Sequence, residues 1–398
     1  MAKNNNKRRT GIFPRGGYAI AFLIMALVAV GFMVMMTVVD AIPTNMTMMI
    51  IGVLFALLII GFILLGRKSK PARIIGLVVA FFCIALYGMG TYYLANTYAT
   101  FAKLSDSTES ALPAGEMDLA NEPFNIYITG IDQWESEKGK DLERSDVNMI
   151  VTVNPNTSQV LLVSVPRDSY VAVNGEDTRM DKLTHATFFT GIPGWIKTLE
   201  TLLGFDMNYF VKVNFSSVVK IIDAIGGLDI DNPYEFSTGA VAWYDEENEE
   251  ERSRLTTFKE GQIHLTGAEA LGYVRERKSL PDGDLGRNLH QTIVIKALVK
   301  KAASPEVIMN FEKLLNALSN TFLTNMETKQ IIELGRFQLD KSPNWEIMTV
   351  SIKGESDYAY SMEVGEELSM LILDQESVNK ATYYINAMLN GERISIGN

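Results

Sequence analysis

Glu143-Arg144-Ser-Asp146-Val-Asn-Met-Ile-Val-Thr-Val153-Asn-Pro-Asn-Thr157-Ser-Gln159-Val-Leu-Leu-Val-Ser164-Val-Pro-Arg167-Asp168 holds two apolar runs around a turn. The runs 147–153 and 159–165 are rich in β-branched residues. Asn154-Pro-Asn-Thr157 between them has turn composition, so the stretch predicts a β-hairpin. A hairpin brings the chain back to its starting edge. Arg144 and Asp146 precede the first strand and Arg167 follows the second, so three charges fall at one end of a sheet. The antiparallel pair also makes any larger sheet mixed.

Strand and helix patterns interleave on both sides of this hairpin. Upstream, Phe124–Asp132 reads as a strand ending at Gly130 and Asp132. Downstream, 192–204 reads as a helix with Pro193 near its start and Gly204 past its end. A strand at 208–213, a helix at 216–225 capped by Ser216, and a short strand at 228–230 follow. Thr266-Gly-Ala-Glu269 is a capping box and starts a short helix. Helices are expected at 284–303, 305–323, 327–337, 365–373 and 376–390, with a strand near 345–352. Residues 245–251 hold six acids in seven positions and read as a solvated surface loop. That run lacks the alternating ligands and the glycine of an EF-hand loop. No internal repeat is visible. The expectation is one α/β domain at 124–390, a mixed sheet between helical layers, with 391–398 as a tail.

The N-terminal part is of another kind. Runs 18–39, 46–65 and 74–95 are apolar, uncharged and long enough to cross about 30 Å of hydrocarbon as helices. Residues 18–95 thus form a three-helix anchor, and 96–123, rich in Ser, Thr, Ala and acids, reads as a stalk. Five Lys/Arg precede the first run, none lie in 40–45, and four lie in 67–73. Basic flanks stay in the cytoplasm, so 1–17 is expected inside and 96–398 outside, in a multi-pass protein of the cell membrane. The spans carry no charge, which points to an anchor and not to a transport path.

Charge narrows the function class. The chain of 398 residues has 36 Lys+Arg against 47 Asp+Glu, a net −11. With nine bases and one acid in 1–95, the outer part is more acidic still. Phosphate-backbone binding needs a basic face, so nucleic acid is not an expected partner. Cys83 is the single cysteine, which excludes a disulfide scaffold. His185, His264 and His290 have no triad partners at recognisable spacing, and no nucleophile elbow is present.

Within this acidic part, five arginines sit beside predicted strand ends and turns. Arg144 and Arg167 flank the hairpin. Arg275 and Arg277 are two apart and would share a face if extended. Asp284, Arg287 and Gln291 form one stripe of a predicted helix, next to Leu285 and Leu289. Guanidinium groups that converge need an anion between them, and pyrophosphate is large enough to engage several. Asp132 and Asp146 suit Mg²⁺ (or Mn²⁺), which takes one or two carboxylates plus substrate phosphates. Taken singly, each of these groups also fits a solvated surface charge or a local ion pair.

Arg144-Ser-Asp146, Ser164-Val-Pro-Arg167-Asp168, Asn208-Tyr-Phe-Val-Lys-Val-Asn-Phe215, Ile222-Asp-Ala-Ile-Gly-Gly-Leu228, Tyr273-Val-Arg-Glu-Arg-Lys278 and Asp282-Gly-Asp-Leu-Gly-Arg-Asn-Leu-His-Gln291 together resemble the LytR-CpsA-Psr (LCP) family. The resemblance runs from about 124 to 390. It implies a membrane-anchored phosphotransferase that moves a teichoic-acid-like or capsular glycopolymer from a polyprenyl-diphosphate carrier to peptidoglycan, forming a phosphodiester. By the same resemblance, Asp132 and Asp146 correspond to metal-associated aspartates. Arg144, Arg167, Arg275, Arg277 and Arg287 correspond to diphosphate-binding residues, with Asp284 and Gln291 in support. Asp146, Arg144, Arg275 and Arg277 are the catalytic candidates. Val218, Ile221, Ile222 and Leu289 are candidates for lining a polyprenyl tunnel, though ordinary core packing is the better account of each. The connection 133–143 is longer than the family pattern, and three spans replace the usual one.

Two other readings stay open at this stage. Water in place of the sugar acceptor would make the protein a pyrophosphatase of the same carrier. A non-catalytic envelope regulator would need a cytoplasmic module, which 1–17 and 67–73 are too short to supply. Asp146 or Asp132 also fits a general base as well as a metal ligand. Protease added to sealed, right-side-out membranes should digest 96–398; protection of that part would revive the regulator.

Overall fold

The computed structural model describes residues 14, 16–40, 44–105, 117–131, 144–176, 178–186, 191–245, 250–281, 283–302, 304, 307 and 322–396. Helices α1 (Gly17–Val39) and α2 (Thr44–Gly66), with α3 (Lys70–Ser105) as far as Ala99, form the first of two compact units. Each contains a stretch long and apolar enough to cross a membrane. Met25 and Ala29 of α1, Leu54 of α2, and Ala80, Cys83 and Tyr87 of α3 pack together. Leu27, Phe81, Phe82 and Met89 remain exposed. Helices apolar all round fit lipid surroundings. The stalk expected at 96–123 begins as helix, because α3 continues to Ser105. It ends in the body: Leu119 is fully buried with Phe124, Tyr209 and Met326.

The second unit is α/β, as the interleaved patterns require. In chain order it holds β1 (Phe124–Ile131), β2 (Ser145–Asn154), β3 (Gln159–Ser164), β4 (Tyr170–Ala172), β5 (Met180–Lys182), α4 (Ile192–Leu203), β6 (Tyr209–Val213) and α5 (Phe215–Ala224). Then come β7 (Leu228–Asn232), β8 (Phe236–Asp245), β9 (Glu250–Phe258), β10 (Gly261–Leu265), α6 (Gly267–Arg275) and α7 (Asp284–Ala302). The last are β11 (Phe322–Thr324), α8 (Thr328–Lys341), β12 (Glu346–Ser351), β13 (Gly354–Tyr360), β14 (Glu367–Leu373) and α9 (Gln375–Leu389).

The main sheet has the order β11-β6-β1-β2-β3-β12. The expected hairpin is its centre, with Met149 opposite Ser164 and Asn154 opposite Gln159. β1–β6 and β3–β12 are parallel and the other pairs antiparallel, so the sheet is mixed. Alternation then sorts the side chains. Ile150, Leu161 and Val163 meet Trp195 and Leu199 of α4 and Ile385 of α9. Met149, Val151 and Leu162 face the other way, towards Ile295 and Val299 of α7. The result is a sheet between two helical layers.

Several local expectations are corrected. Helix α5 starts at Phe215 because Asn214, not Ser216, is its cap: the Asn214 carboxamide accepts the Ser217 N–H at 2.9 Å. The expected helix at 365–373 is strand β14, held by pairing with β13 and by the Leu371 N–H donating to Asp168 O at 2.9 Å. Tertiary pairing outweighs local propensity there. Asp245, Glu250 and Glu251 of the acidic run are strand residues of the β8–β9 hairpin, while 246–249 lie outside the described residues. The helix expected at 305–323 lies mostly outside them too, and Phe322 and Leu323 belong to β11. The tail is not loose: Ile394 is buried, and its N–H and C=O both bond to the Gln159 side chain.

Gly272 lets α6 lie against β8. A Cβ there would come within 2.6 Å of the Val241 Cα. Gly272→Ala should destabilise the domain by about 1–3 kcal/mol, read as a lower melting temperature of the detergent-solubilised protein.

Candidate active site

β1 and β6 are parallel neighbours, and a cavity of about 310 Å³ opens where both end. Clefts at the carboxyl ends of parallel strands are the usual ligand position in α/β sheets. Gly130 and Ile131 close β1, and Val213 closes β6. Asn214, Phe215 and Val218 come from the start of α5; Leu271, Val274 and Arg275 from α6; Arg287 and Gln291 from α7. Asp146, Val147 and Arg167 come from the open end of the hairpin. The lining therefore combines apolar residues with three arginines.

Local folding explains how each arginine arrives. Arg167 follows β3, and its Nη1 donates to Asp146 Oδ1 at 2.5 Å. The capping box of Thr266 and Glu269 starts α6, and one helix later Arg275 is its last residue. The Arg275 guanidinium lies over the Phe215 ring, 4.3 Å from its centroid. Such a cation–π contact orients the group without neutralising it. Arg287 sits on the first turn of α7 and is only 6% exposed, as is Gln291 one turn on. Leu285 and Leu289 are by contrast 54% and 45% exposed. The helix turns its polar stripe inward and these leucines outward. Leu289 is thus a surface residue, and Ile222 belongs to the core. Of the tunnel candidates, Val218 is on the cavity wall.

Arg144 is exposed just before β2, off the cavity wall. Arg275 and Arg277 do not share a face, because Arg275 ends a helix and the chain then turns. The buried Glu276 carboxylate accepts the N–H groups of Arg277 and Ser279 at 2.9 Å each, leaving Arg277 exposed. Burial alone would raise the Glu276 carboxyl, but the Thr238 hydroxyl and those N–H groups hold it below the usual range. Asp284 is the first residue of α7, and its side chain is outside the described residues, as is Asp132 altogether. Sequence reasoning missed Phe215 as the Arg275 platform. Its signals were its place at the end of the Asn208–Phe215 motif and directly after Asn214, a strong helix cap.

Residues 91–386 match the LytR_cpsA_psr family. The chain belongs to that family. It is 30% identical, over 71% of its length and 89% of the relative's, to a polyisoprenyl-teichoic acid–peptidoglycan teichoic acid transferase, TagU, of Bacillus anthracis. A TagU of Bacillus mycoides is 31% identical over 64% of this chain and 82% of its own. The crystal structure of Bacillus subtilis TagV matches with a TM-score of 0.55 and 27% identity, covering 68% of this chain and 98% of that one. As a family member the chain has the LCP fold that its sequence suggested.

His290 ties two of the arginine-bearing helices together. Its Nδ1–H donates to Tyr273 O at 3.2 Å, and its ring stacks on Tyr273 at 4.1 Å. Tyr273 is two residues before Arg275, and His290 three after Arg287. Burial holds the imidazole down at about 4, partly offset by the Tyr273 carbonyl and the nearby Glu276. It is therefore neutral in the folded protein. Between pH 6.5 and about 4 the unfolded chain takes up this proton and the folded one does not. Its contribution is complete above pH 6.5 and falls by up to about 3 kcal/mol as pH drops through that window. Urea titrations across it should show a shallower loss for His290→Gln than for the parent; identical slopes would refute the assignment.

Proposed function

We propose that the protein transfers a teichoic-acid-like glycopolymer from a polyprenyl-diphosphate carrier to peptidoglycan, on the outer face of the cell membrane. The observation that carries this is the mixed lining of one cavity, which combines Arg167, Arg275 and Arg287 with Phe215, Val218, Leu271 and Val274. A lipid diphosphate needs both kinds of lining, for an anionic head on an apolar chain. The names of the TagU relatives support the reading. So do the basic flanks of α1 and of the α2–α3 connection, which favour an outer location for the catalytic unit.

In this mechanism the three guanidinium groups hold the diphosphate and stabilise charge that grows on its oxygens. Asp146 fixes Arg167, and Gln291 adds an amide on the same wall. An acceptor sugar hydroxyl attacks the phosphorus that bears the glycan. The new P–O bond is the phosphodiester, the diphosphate P–O bond breaks, and polyprenyl phosphate leaves with its electron pair. The acceptor proton passes to a base or to solvent. Mg²⁺ fits the donor set: Asp146 offers one carboxylate at the wall, and the chain runs from the wall residue Ile131 directly into Asp132. Among the described residues no group of three His, Cys, Asp or Glu could hold an ion, so substrate phosphates would complete the shell. When bound, the metal would neutralise diphosphate charge. Asp132 and Asp146 would hold it.

The full chain in detergent, given a polyprenyl-diphosphate glycan, Mg²⁺ and peptidoglycan oligomers, should form glycan-linked peptidoglycan and polyprenyl phosphate. Arg275→Gln should lower turnover about 100-fold or more with an unchanged melting temperature. Release of glycan phosphate to water alone would favour a pyrophosphatase, and full activity of the variant would refute the site.

A further inference from the structure

Arg167 belongs to a row of four alternating charges. Its Nη1 meets Asp146, and its Nε faces Asp168 Oδ2 at 3.7 Å, an ion pair too long for a hydrogen bond. The other Asp168 oxygen accepts from Lys182 Nζ, the last residue of β5, at 3.0 Å. Lys182 is 16% exposed in its side chain, so solvent screens this pair less than an open surface pair. The backbone here is also tied down. Arg167 O accepts the Thr184 N–H at 3.0 Å, Ser169 O accepts the Leu183 N–H and Asp168 O the Leu371 N–H, each at 2.9 Å.

The signs of these charges matter to the cavity. Asp146 and Arg167 are on its wall; Asp168 and Lys182 are not. Two carboxylates flank one guanidinium, so without Lys182 the group would face an anion site with an excess negative charge. With Lys182 the four balance. The ammonium also holds the Asp168 carboxylate beside Arg167, whose guanidinium is hydrogen-bonded at Nη1 and faces the second carboxylate across the longer ion pair at Nε.

We propose that Lys182 is a positioning and charge-balancing residue of the diphosphate site, acting through Asp168 on Arg167 without touching substrate. This rests on the reading of the cavity as a diphosphate site. The test is calorimetric titration of the full chain in detergent with geranyl diphosphate at two salt concentrations. Lys182→Met should weaken binding roughly threefold to tenfold at low salt, with a smaller deficit at high salt. Lys182→Arg should bind as the parent does. Asp168→Asn combined with Lys182→Met removes both charges and should recover affinity to within about twofold of the parent, a rescue that lost packing would not give. Should Lys182→Met fail to fold, Lys182→Gln reads the same comparison. Parent-like binding by the single variant, or a double variant no tighter than the single, would overturn the proposal while leaving the site intact. No binding of geranyl diphosphate by the parent would overturn both.

Discussion

The ion pair between Arg167 and Asp146 closes the open end of the central hairpin, and the site is built around that closure. It works because the hairpin register is fixed beneath it. Asn148 Oδ1 accepts from the Tyr127 hydroxyl at 2.5 Å and from the Ser145 hydroxyl at 2.6 Å, all three residues being buried. Thr129 donates to Ser145 Oγ at 2.9 Å. A slip of one residue would send Asp146 to the opposite face of the sheet and leave these groups without partners.

The other two arginines depend on helix termini. Capping boxes begin α5 and α6, and the Asp223 carboxylate of α5 accepts the Gly267 N–H of α6 at 2.7 Å. This contact fixes where α6 starts, and nine residues of helix fix where Arg275 ends up. His290 then locks α7 to α6 through the Tyr273 carbonyl. Three guanidinium groups from three chain segments thus reach one cavity through backbone geometry that each segment sets locally.

Features written in local pattern were legible in the sequence. Turn composition gave the hairpin, Thr266 and Glu269 gave a helix start, and unbroken apolar runs gave the three long helices. The likeness to the LCP family came from motifs in order. The four-residue spacing of Arg287 and Gln291 put both on one stripe, which the fold turned inward. Features that depend on long-range pairing were not legible. Arg275 and Arg277 look equivalent at a spacing of two until a helix ends between them. β14 reads as a helix until β13 and Asp168 bind it. Lys182 looks like any surface lysine, because its partner is fourteen residues away across a turn.

The inverted polarity of α7 has a cost in cohesion. His290 is wholly buried and Arg287, Gln291, Asn288 and Thr292 nearly so, while Leu285 and Leu289 meet solvent. Exchanging the inward polar groups for aliphatic ones would suit an ordinary core better. Directed evolution for heat resistance alone would therefore drift towards a sturdier, inert protein, and only concurrent selection for turnover would keep the helix turned as it is.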